Sequence, residues 1–133
     1  MRDLSFDLRF ELAGKRVRLV HGSPRKVNEY RLEDRAVSTF ARIAQLADCD
    51  FLLFGHTHKP WIREYDGVLF VKCGSVGKPK DGDPRGTFAL LEDQDGTVNV
   101  SIVRVRYDAK AVADQVRAVG LPLELADQLV RAK

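Results

Sequence analysis

Two short apolar runs in this 133-residue chain are each followed by histidine and glycine residues. VRLV ends directly before His21 and Gly22, and FLLF ends before the segment GHTHKP, which contains His56 and His58. Both runs are typical of strands that a sheet covers on both faces. Because open α/β sheets gather ligand sites beyond the carboxyl ends of their strands, all three histidines of the chain are expected at one sheet edge.

Hydrophobic spacing along the rest of the chain predicts a mixed α/β (α+β) fold with more strand than helix. Period-two alternation marks the first strand, which is expected to bury the face formed by Leu4, Phe6, Leu8, Phe10 and Leu12. The predicted strands are 4–12, 16–20, 51–54, 61–65, 68–71, 87–92 and 98–107, and the predicted helices are 34–47, 108–119 and 124–131.

Turn and cap residues lie where these elements should begin or end. The Asp-Gly pairs at 66–67 and 95–96 predict two-residue hairpin turns. Asp34 and Asp108 are placed to cap the first turns of two helices, and Gly120 stands where a helix C-terminus is expected. Residues 1–133 are therefore interpreted as one domain, without repeats or a linker.

Composition excludes several classes of protein. No apolar run approaches the ~20 residues of a membrane span, and no zinc-finger or arginine-rich nucleic-acid signature occurs. The net charge of +3 is mild. Cys49 and Cys73 lack zinc-site spacing and are interpreted as reduced thiols of a cytoplasmic protein, although sequence alone leaves a disulfide between them open.

The histidine pattern itself permits two interpretations. Neutral imidazole is a good ligand for first-row transition metals, and two histidines separated by one residue point the same way if the segment stays extended. The alternative is three solvent-exposed or core histidines, which is the more common role of a lone histidine. The residues alone leave the choice between these interpretations open, as well as the identity of any ion.

Three motifs together resemble the calcineurin-like metallophosphoesterases, and in particular their small prokaryotic phosphodiesterase branch. They are GHTHKP after an apolar strand, HGSPR about 35 residues upstream, and GSVGKPKDGDPR downstream. The resemblance implies the fold of a metallophosphoesterase β-sandwich flanked by helices. It also implies a metal-dependent phosphoesterase that acts on a phosphoester small molecule or nucleotide, with phosphodiesters favoured.

The resemblance further implies a dinuclear site that contains Mn, Ni, Fe or Zn. His21 and His56 would ligate one ion and His58 the other, and a metal-bound hydroxide would attack the phosphoester in line. Arg25 and Tyr30 are candidates for the substrate-binding rim, with an ordinary polar surface loop as the alternative. No catalytic side chain is assigned, because the nucleophile is expected on the metal.

The sequence departs from the family in two ways. The first is that the sequence lacks the motifs that supply the family's other ligands, which are D-x-H, G-D-x-x-D and G-N-H-[DE]. The second is that Lys72 stands where asparagine is common in the family. The chain is thus expected to correspond to the C-terminal half of the domain. We expect an open sheet edge, with either self-association or a partner that carries the N-terminal half. A non-catalytic remnant that binds metal or a partner chain is the alternative function.

Overall fold

Seven strands and three helices form from residues 5–29 and 36–133, which the computed structural model describes. The strands are β1 (Asp7–Leu12), β2 (Lys15–Val20), β3 (Phe51–Phe54), β4 (Trp61–Tyr65), β5 (Val68–Lys72), β6 (Gly86–Gln94) and β7 (Thr97–Val105). The helices are α1 (Val37–Ala47), α2 (Ala109–Ala118) and α3 (Leu123–Arg131). The prediction of a mixed fold with more strand than helix is confirmed.

Five of the strands form one mixed sheet in the order β1-β2-β3-β5-β4. The three central strands run parallel, with Val17 beside Phe51 and Phe51 beside Leu69. The outer strands β1 and β4 pair antiparallel with their neighbours. The central strands therefore end at the same edge, so the segments that follow Val20, Phe54 and Lys72 are brought together there.

One face of this sheet is covered by α1. Phe40 of the helix stacks on Tyr65, with ring centroids 4.3 Å apart, and meets Phe70 edge-on at 5.8 Å. Ile43 and Ala47 are fully buried in the same cluster. The apolar stripe of the helix and this face of the sheet thus form one of the two parts of the core.

The opposite face is partly covered by the β6–β7 hairpin. The inward side chains of the hairpin pack against four buried residues of the sheet, Val17, Phe51, Leu53 and Val71. The inward residues of the hairpin are Ala89, Leu91, Val98, Val100 and Ile102. Two sheets packed in this way form the β-sandwich expected from the resemblance.

The prediction that β1 buries one face is wrong. Phe6, Leu8 and Phe10 are each between 44% and 50% exposed, because they are not among the residues that pack against the hairpin side of the core. Leu12 packs against the core cluster, and Leu4 lies outside the described residues. The described structure therefore presents an apolar surface on β1, which we call the β1 face and define by Phe6, Leu8 and Phe10.

Most predicted turns and caps are confirmed. Asp66 and Gly67 both have positive φ, at 52° and 75°, and they join β4 to β5 as a two-residue turn. The carboxylate of Asp108 accepts a hydrogen bond from Ala111 N at 2.9 Å and so caps α2. Asp34 lies outside the described residues, and the residue before α1 is Ala36, which makes no side-chain cap. No helix in the described part of the chain has both the length and the apolar composition to cross a membrane.

Candidate functional site

His21 and His56 meet beyond the carboxyl ends of β2 and β3. Nε2 of His21 lies 3.0 Å from Nδ1 of His56, and the two rings meet edge to face with centroids 5.0 Å apart. Because β2 and β3 are parallel neighbours, the same edge of the sheet positions both residues. The expectation that the histidines gather at one sheet edge is confirmed for this pair.

The GHTH segment does not continue the extended conformation of β3, so the condition under which His56 and His58 would point the same way is not met. His56 and His58 have φ values of 71° and 62°, in the left-handed region. The chain therefore bends at each histidine, and the two side chains are not aligned by strand alternation. Positive φ is uncommon for non-glycine residues, and the five other examples in the described chain, such as Asp66 and Ala132, lie in hairpin turns or at helix ends.

His58 is held separately by the loop that follows β5. Its Nδ1 lies 2.7 Å from the carbonyl oxygen of Lys78, and its own carbonyl oxygen accepts a hydrogen bond from Lys80 N at 3.1 Å. A carbonyl oxygen only accepts, so Nδ1 carries the proton when the imidazole is neutral, and Nε2 keeps the lone pair. Histidine ligands of metals are commonly oriented by such a bond from the second ring nitrogen.

Electrostatic surroundings favour neutral imidazole at His56. Burial lowers the pKa of His56, and positive charge at His21, His58, Lys72 and Lys80 lowers it further. Neutral imidazole is the form that binds a metal ion. The same lysines make the surroundings attractive to an anion.

The sequence did not predict that Lys72 is buried. It is fully buried at the end of β5, directly beside Phe54 in the parallel ladder. Its ammonium nitrogen lies 5.8 Å from the centroid of the Phe54 ring and 5.7 Å from that of Trp61. A lysine at the end of an apolar run is usually solvated, so only its packing against the two rings identifies it as part of the site.

The spacing of the histidine pair fits a shared metal ion. His21 Nε2 and His56 Nδ1 are within hydrogen-bonding distance at 3.0 Å. Two imidazole nitrogens bound to one ion at about 2.1 Å, in adjacent octahedral positions, would also lie about 3.0 Å apart. Within residues 5–29 and 36–133, no group of three or more His, Cys, Asp or Glu side chains is placed to hold a metal. The described residues thus bring two imidazoles together at this edge but do not form a closed site.

The two proposed substrate residues are less informative. The Arg25 guanidinium pairs with the carboxylate of Glu29 in the loop after β2, and Tyr30 lies outside the described residues. Three N–H groups of the loop at 74–80 donate to protein acceptors, so they are not available to an anion. Ser75 N donates to Thr87 Oγ1, Lys78 N to Ser75 Oγ, and Lys80 N to the His58 carbonyl oxygen.

Comparison with known proteins identifies similar chains in several organisms. Residues 1–96 match the profile described as a calcineurin-like phosphoesterase superfamily domain. The uncharacterized protein MJ0912 of Methanocaldococcus jannaschii is 26% identical over 89% of this chain and 52% of its own length. The chain therefore spans about half the length of this curated relative.

Two solved structures carry the comparison further. A metallophosphoesterase from Sphaerobacter thermophilus is 26% identical, with a TM-score of 0.83, over 99% of this chain and 59% of its own. Wild-type Vps29 of Entamoeba histolytica, complexed with Zn²⁺, is 27% identical, with a TM-score of 0.52, over 78% of this chain and 63% of its own.

Proposed function

The chain belongs to the calcineurin-like phosphoesterase superfamily, and from this membership we propose that it supplies the histidine ligands of a metal-dependent phosphoesterase. His21 and His56 would bind one divalent ion, and His58 a second. The observation that carries the proposal is the 3.0 Å approach of His21 Nε2 to His56 Nδ1 at the carboxyl edge of the sheet. Among the described residues, no third His, Cys, Asp or Glu side chain is placed with this pair to complete a closed site.

The chemistry that suits these residues is phosphoester hydrolysis. Divalent transition ions, when bound, generate a nucleophile from water near neutral pH and neutralise charge on phosphoryl oxygens. Mn, Ni, Fe and Zn are all compatible with imidazole donors, and the Zn²⁺ complex of the similar Vps29 supports zinc among them. The chain's own part is to hold the ions through neutral imidazoles.

The charge around the histidines supports an anionic substrate. Lys72 and Lys80 are close enough to His56 to lower its pKa, so they would also attract a phosphoester. We favour phosphodiesters over monoesters, following the resemblance of the motifs to the phosphodiesterase branch. The paired guanidinium of Arg25 would have to exchange Glu29 for the substrate in order to contribute.

Metal or partner binding without hydrolysis is the second candidate. It is favoured by the presence of a histidine pair rather than a closed ligand set in the described residues. The exposed β1 face supports a partner, either a second copy or a chain that carries the remaining half of the domain. Cys49 and Cys73 are both free, which supports a cytoplasmic location in either case.

Hydrolysis of bis(4-nitrophenyl) phosphate with added Mn²⁺ separates the two candidates. The test compares the wild-type chain with the His56→Ala, His58→Ala double variant and with Lys59→Ala, an exposed neighbour of the motif. Turnover that only the double variant loses supports the phosphoesterase. Metal binding by calorimetry without turnover supports the second candidate. The absence of both turnover and metal binding would count against the phosphoesterase and against metal binding, and would leave partner binding through the β1 face as the remaining form of the second candidate.

A further inference from the structure

A continuous series of hydrogen bonds connects the β6–β7 hairpin to His58. It runs from Thr87 at the start of β6 through Ser75 to Lys78, whose carbonyl oxygen contacts the His58 ring. We call Thr87, Ser75 and Lys78 the His58 brace. None of these residues is assigned a role by the metal-ligand motifs, so the brace is a separate feature of the site.

The first contact of the brace fixes the backbone of Ser75. Ser75 N donates to Thr87 Oγ1 at 2.8 Å, and Thr87 N donates back to the Ser75 carbonyl oxygen at 2.9 Å. Gly74, with φ of 80°, brings its backbone so close to Thr87 that an added Cβ would lie 1.9 Å from Oγ1. Thr87 is only 2% exposed. The buried Thr87 hydroxyl itself donates to the Ser75 carbonyl oxygen at 3.4 Å, so these bonds hold this point of the loop in one position.

The second contact transmits this position to His58. Lys78 N donates to Ser75 Oγ at 2.9 Å, which closes the loop between the two residues. Lys78 O then lies 2.7 Å from His58 Nδ1, and Lys80 N donates to His58 O at 3.1 Å. The loop therefore holds both the ring and the main chain of a histidine whose φ of 62° is unfavourable without such support.

We propose that Thr87 and Ser75 are positioning residues that fix His58 in its Nδ1–H tautomer, with Nε2 left free of a proton for metal binding. The mechanism is indirect, because neither hydroxyl touches the imidazole. Each sets the place of the Lys78 carbonyl, which accepts only from a protonated Nδ1. The inference rests on the proposed function in that it takes His58 as a ligand, whereas the tautomer itself is a property of the metal-free chain.

The test measures the tautomer and the metal affinity separately. Long-range ¹H–¹⁵N spectra of the neutral imidazoles identify which nitrogen of His58 is protonated in the metal-free chain. We expect Nδ1–H in the wild-type chain, and a mixture of tautomers in Thr87→Val and Ser75→Ala. Zn²⁺ affinity, measured by competition with a chromophoric chelator, is expected to fall about 10- to 100-fold in both variants, as for other residues that orient a ligand.

Conservative and remote substitutions distinguish positioning from a general loss of structure. Thr87→Ser keeps the hydroxyl and should restore both the tautomer and the affinity, whereas Ser101→Ala removes an exposed hydroxyl of the same hairpin and should change neither. Ser75→Ala answers the question if Thr87→Val does not fold. An unchanged Nδ1–H tautomer in folded Ser75→Ala or Thr87→Val overturns the inference. A shifted tautomer in a chain that binds no metal upholds the brace and contradicts the proposed function instead.

Discussion

The main-chain N–H of Gly55 donates to the carbonyl oxygen of His21, with 2.9 Å between nitrogen and oxygen. This bond continues the parallel pairing of β2 and β3 beyond the last strand residues, so it joins the two segments that carry the histidine pair. The approach of His21 to His56 is therefore a consequence of strand register and not of the imidazole rings alone. Changes in the backbone near either residue should disturb the site.

Replacement of Gly22 by alanine should weaken metal binding without removing a ligand. A Cβ on Gly22 would lie 2.2 Å from the carbonyl oxygen of Val27, so the loop beside His21 must shift. We expect a loss of about 1–3 kcal/mol in the free energy of unfolding and at least a tenfold weaker Mn²⁺ affinity. Gly77→Ala is the matched control, since no atom lies within 4 Å of its added Cβ. Urea unfolding and calorimetry measure the two effects, and equal results for the two variants would contradict this account.

Replacement of Lys72 by methionine should strengthen metal binding. Lys72 contributes to the positive surroundings that lower the pKa of His56, and a bound divalent cation would experience the same positive charge. Removal of this like charge should increase Mn²⁺ affinity roughly tenfold. Methionine retains the length and apolar stem of the buried side chain. Lys59→Met removes an exposed charge from the histidine motif and should have a much smaller effect. Unchanged or weaker binding by Lys72→Met would show that this charge does not oppose the ion.

Local sequence signals predicted the turns and caps of the fold better than they predicted which strand faces are covered by other parts of the chain. The turn at 66–67 and the cap at Asp108 depend only on neighbouring residues, and both form as expected. The exposure of Phe10 instead depends on which residues of the sheet pack against the β6–β7 hairpin, which alternation within β1 does not specify. A buried apolar face and an uncovered one have the same period of two.

The candidate site was predictable to a similar extent. The expected approach of His21 to His56 follows from two apolar strands that end side by side. The bend at His58 and its contact with Lys78 depend on a loop that lies 20 residues away in sequence. The buried position of Lys72 likewise requires the rings of β3 and β4 to be in place. Contacts of this kind come from tertiary packing, which no single motif encodes.

Loss of the Asp108 cap should destabilise α2. The Asp108 carboxylate accepts from Ala111 N at 2.9 Å, so Asp108→Ala leaves a first-turn N–H without this partner. We expect a cost of about 0.5–2 kcal/mol, measured by urea unfolding followed by far-UV circular dichroism. Asp114→Ala is the control, because Asp114 forms only exposed ion pairs with Lys110 and Arg117, each worth about 0–1 kcal/mol. An Asp114 variant as unstable as the Asp108 variant would argue against a capping role.

The buried thiol of Cys49 should resist alkylation in the folded chain. Burial raises the pKa of Cys49 from 9.0 to about 11, although the positive charges of Arg18 and Arg9 offset part of the effect. At pH 8 the thiolate fraction is then on the order of 100-fold lower than that of an ordinary thiol, and iodoacetamide should react correspondingly slowly. Peptide mass spectrometry distinguishes labelling of Cys49 from labelling of Cys73. The labelling rate of the unfolded chain, measured in about 6 M guanidinium, is the reference. Equal rates in the folded and unfolded chains would contradict burial of the thiol.

The same thiol predicts a pH dependence of stability. Because the folded-state pKa is the higher one, the stabilising contribution of neutral Cys49 is complete below pH 9.0 and is lost as pH rises toward about 11. Wild-type stability should therefore fall more between pH 8 and pH 10.5 than that of Cys49→Ala, in which this group is absent. Urea midpoints of both proteins at each pH test the difference, and other titrating groups cancel in the comparison. Parallel pH dependences in the two proteins would be inconsistent with the raised pKa.

The β1 face should mediate association of the chain. Phe10 is 44% exposed beside Leu8 on an outer strand of the sheet, and strands of this kind pair readily with another chain. We expect reversible dimers at concentrations of about 10–100 μM, and Phe10→Lys should weaken the dimer at least tenfold, because burial of the lysine charge is costly. Val37→Lys removes an apolar side chain that is 69% exposed on α1, and it should leave the association constant unchanged. Sedimentation velocity measures the association constant of the wild-type chain and of both variants. A wild-type chain that stays monomeric over this range, or a Val37 variant as impaired as the Phe10 variant, would exclude the β1 face as a self-association surface.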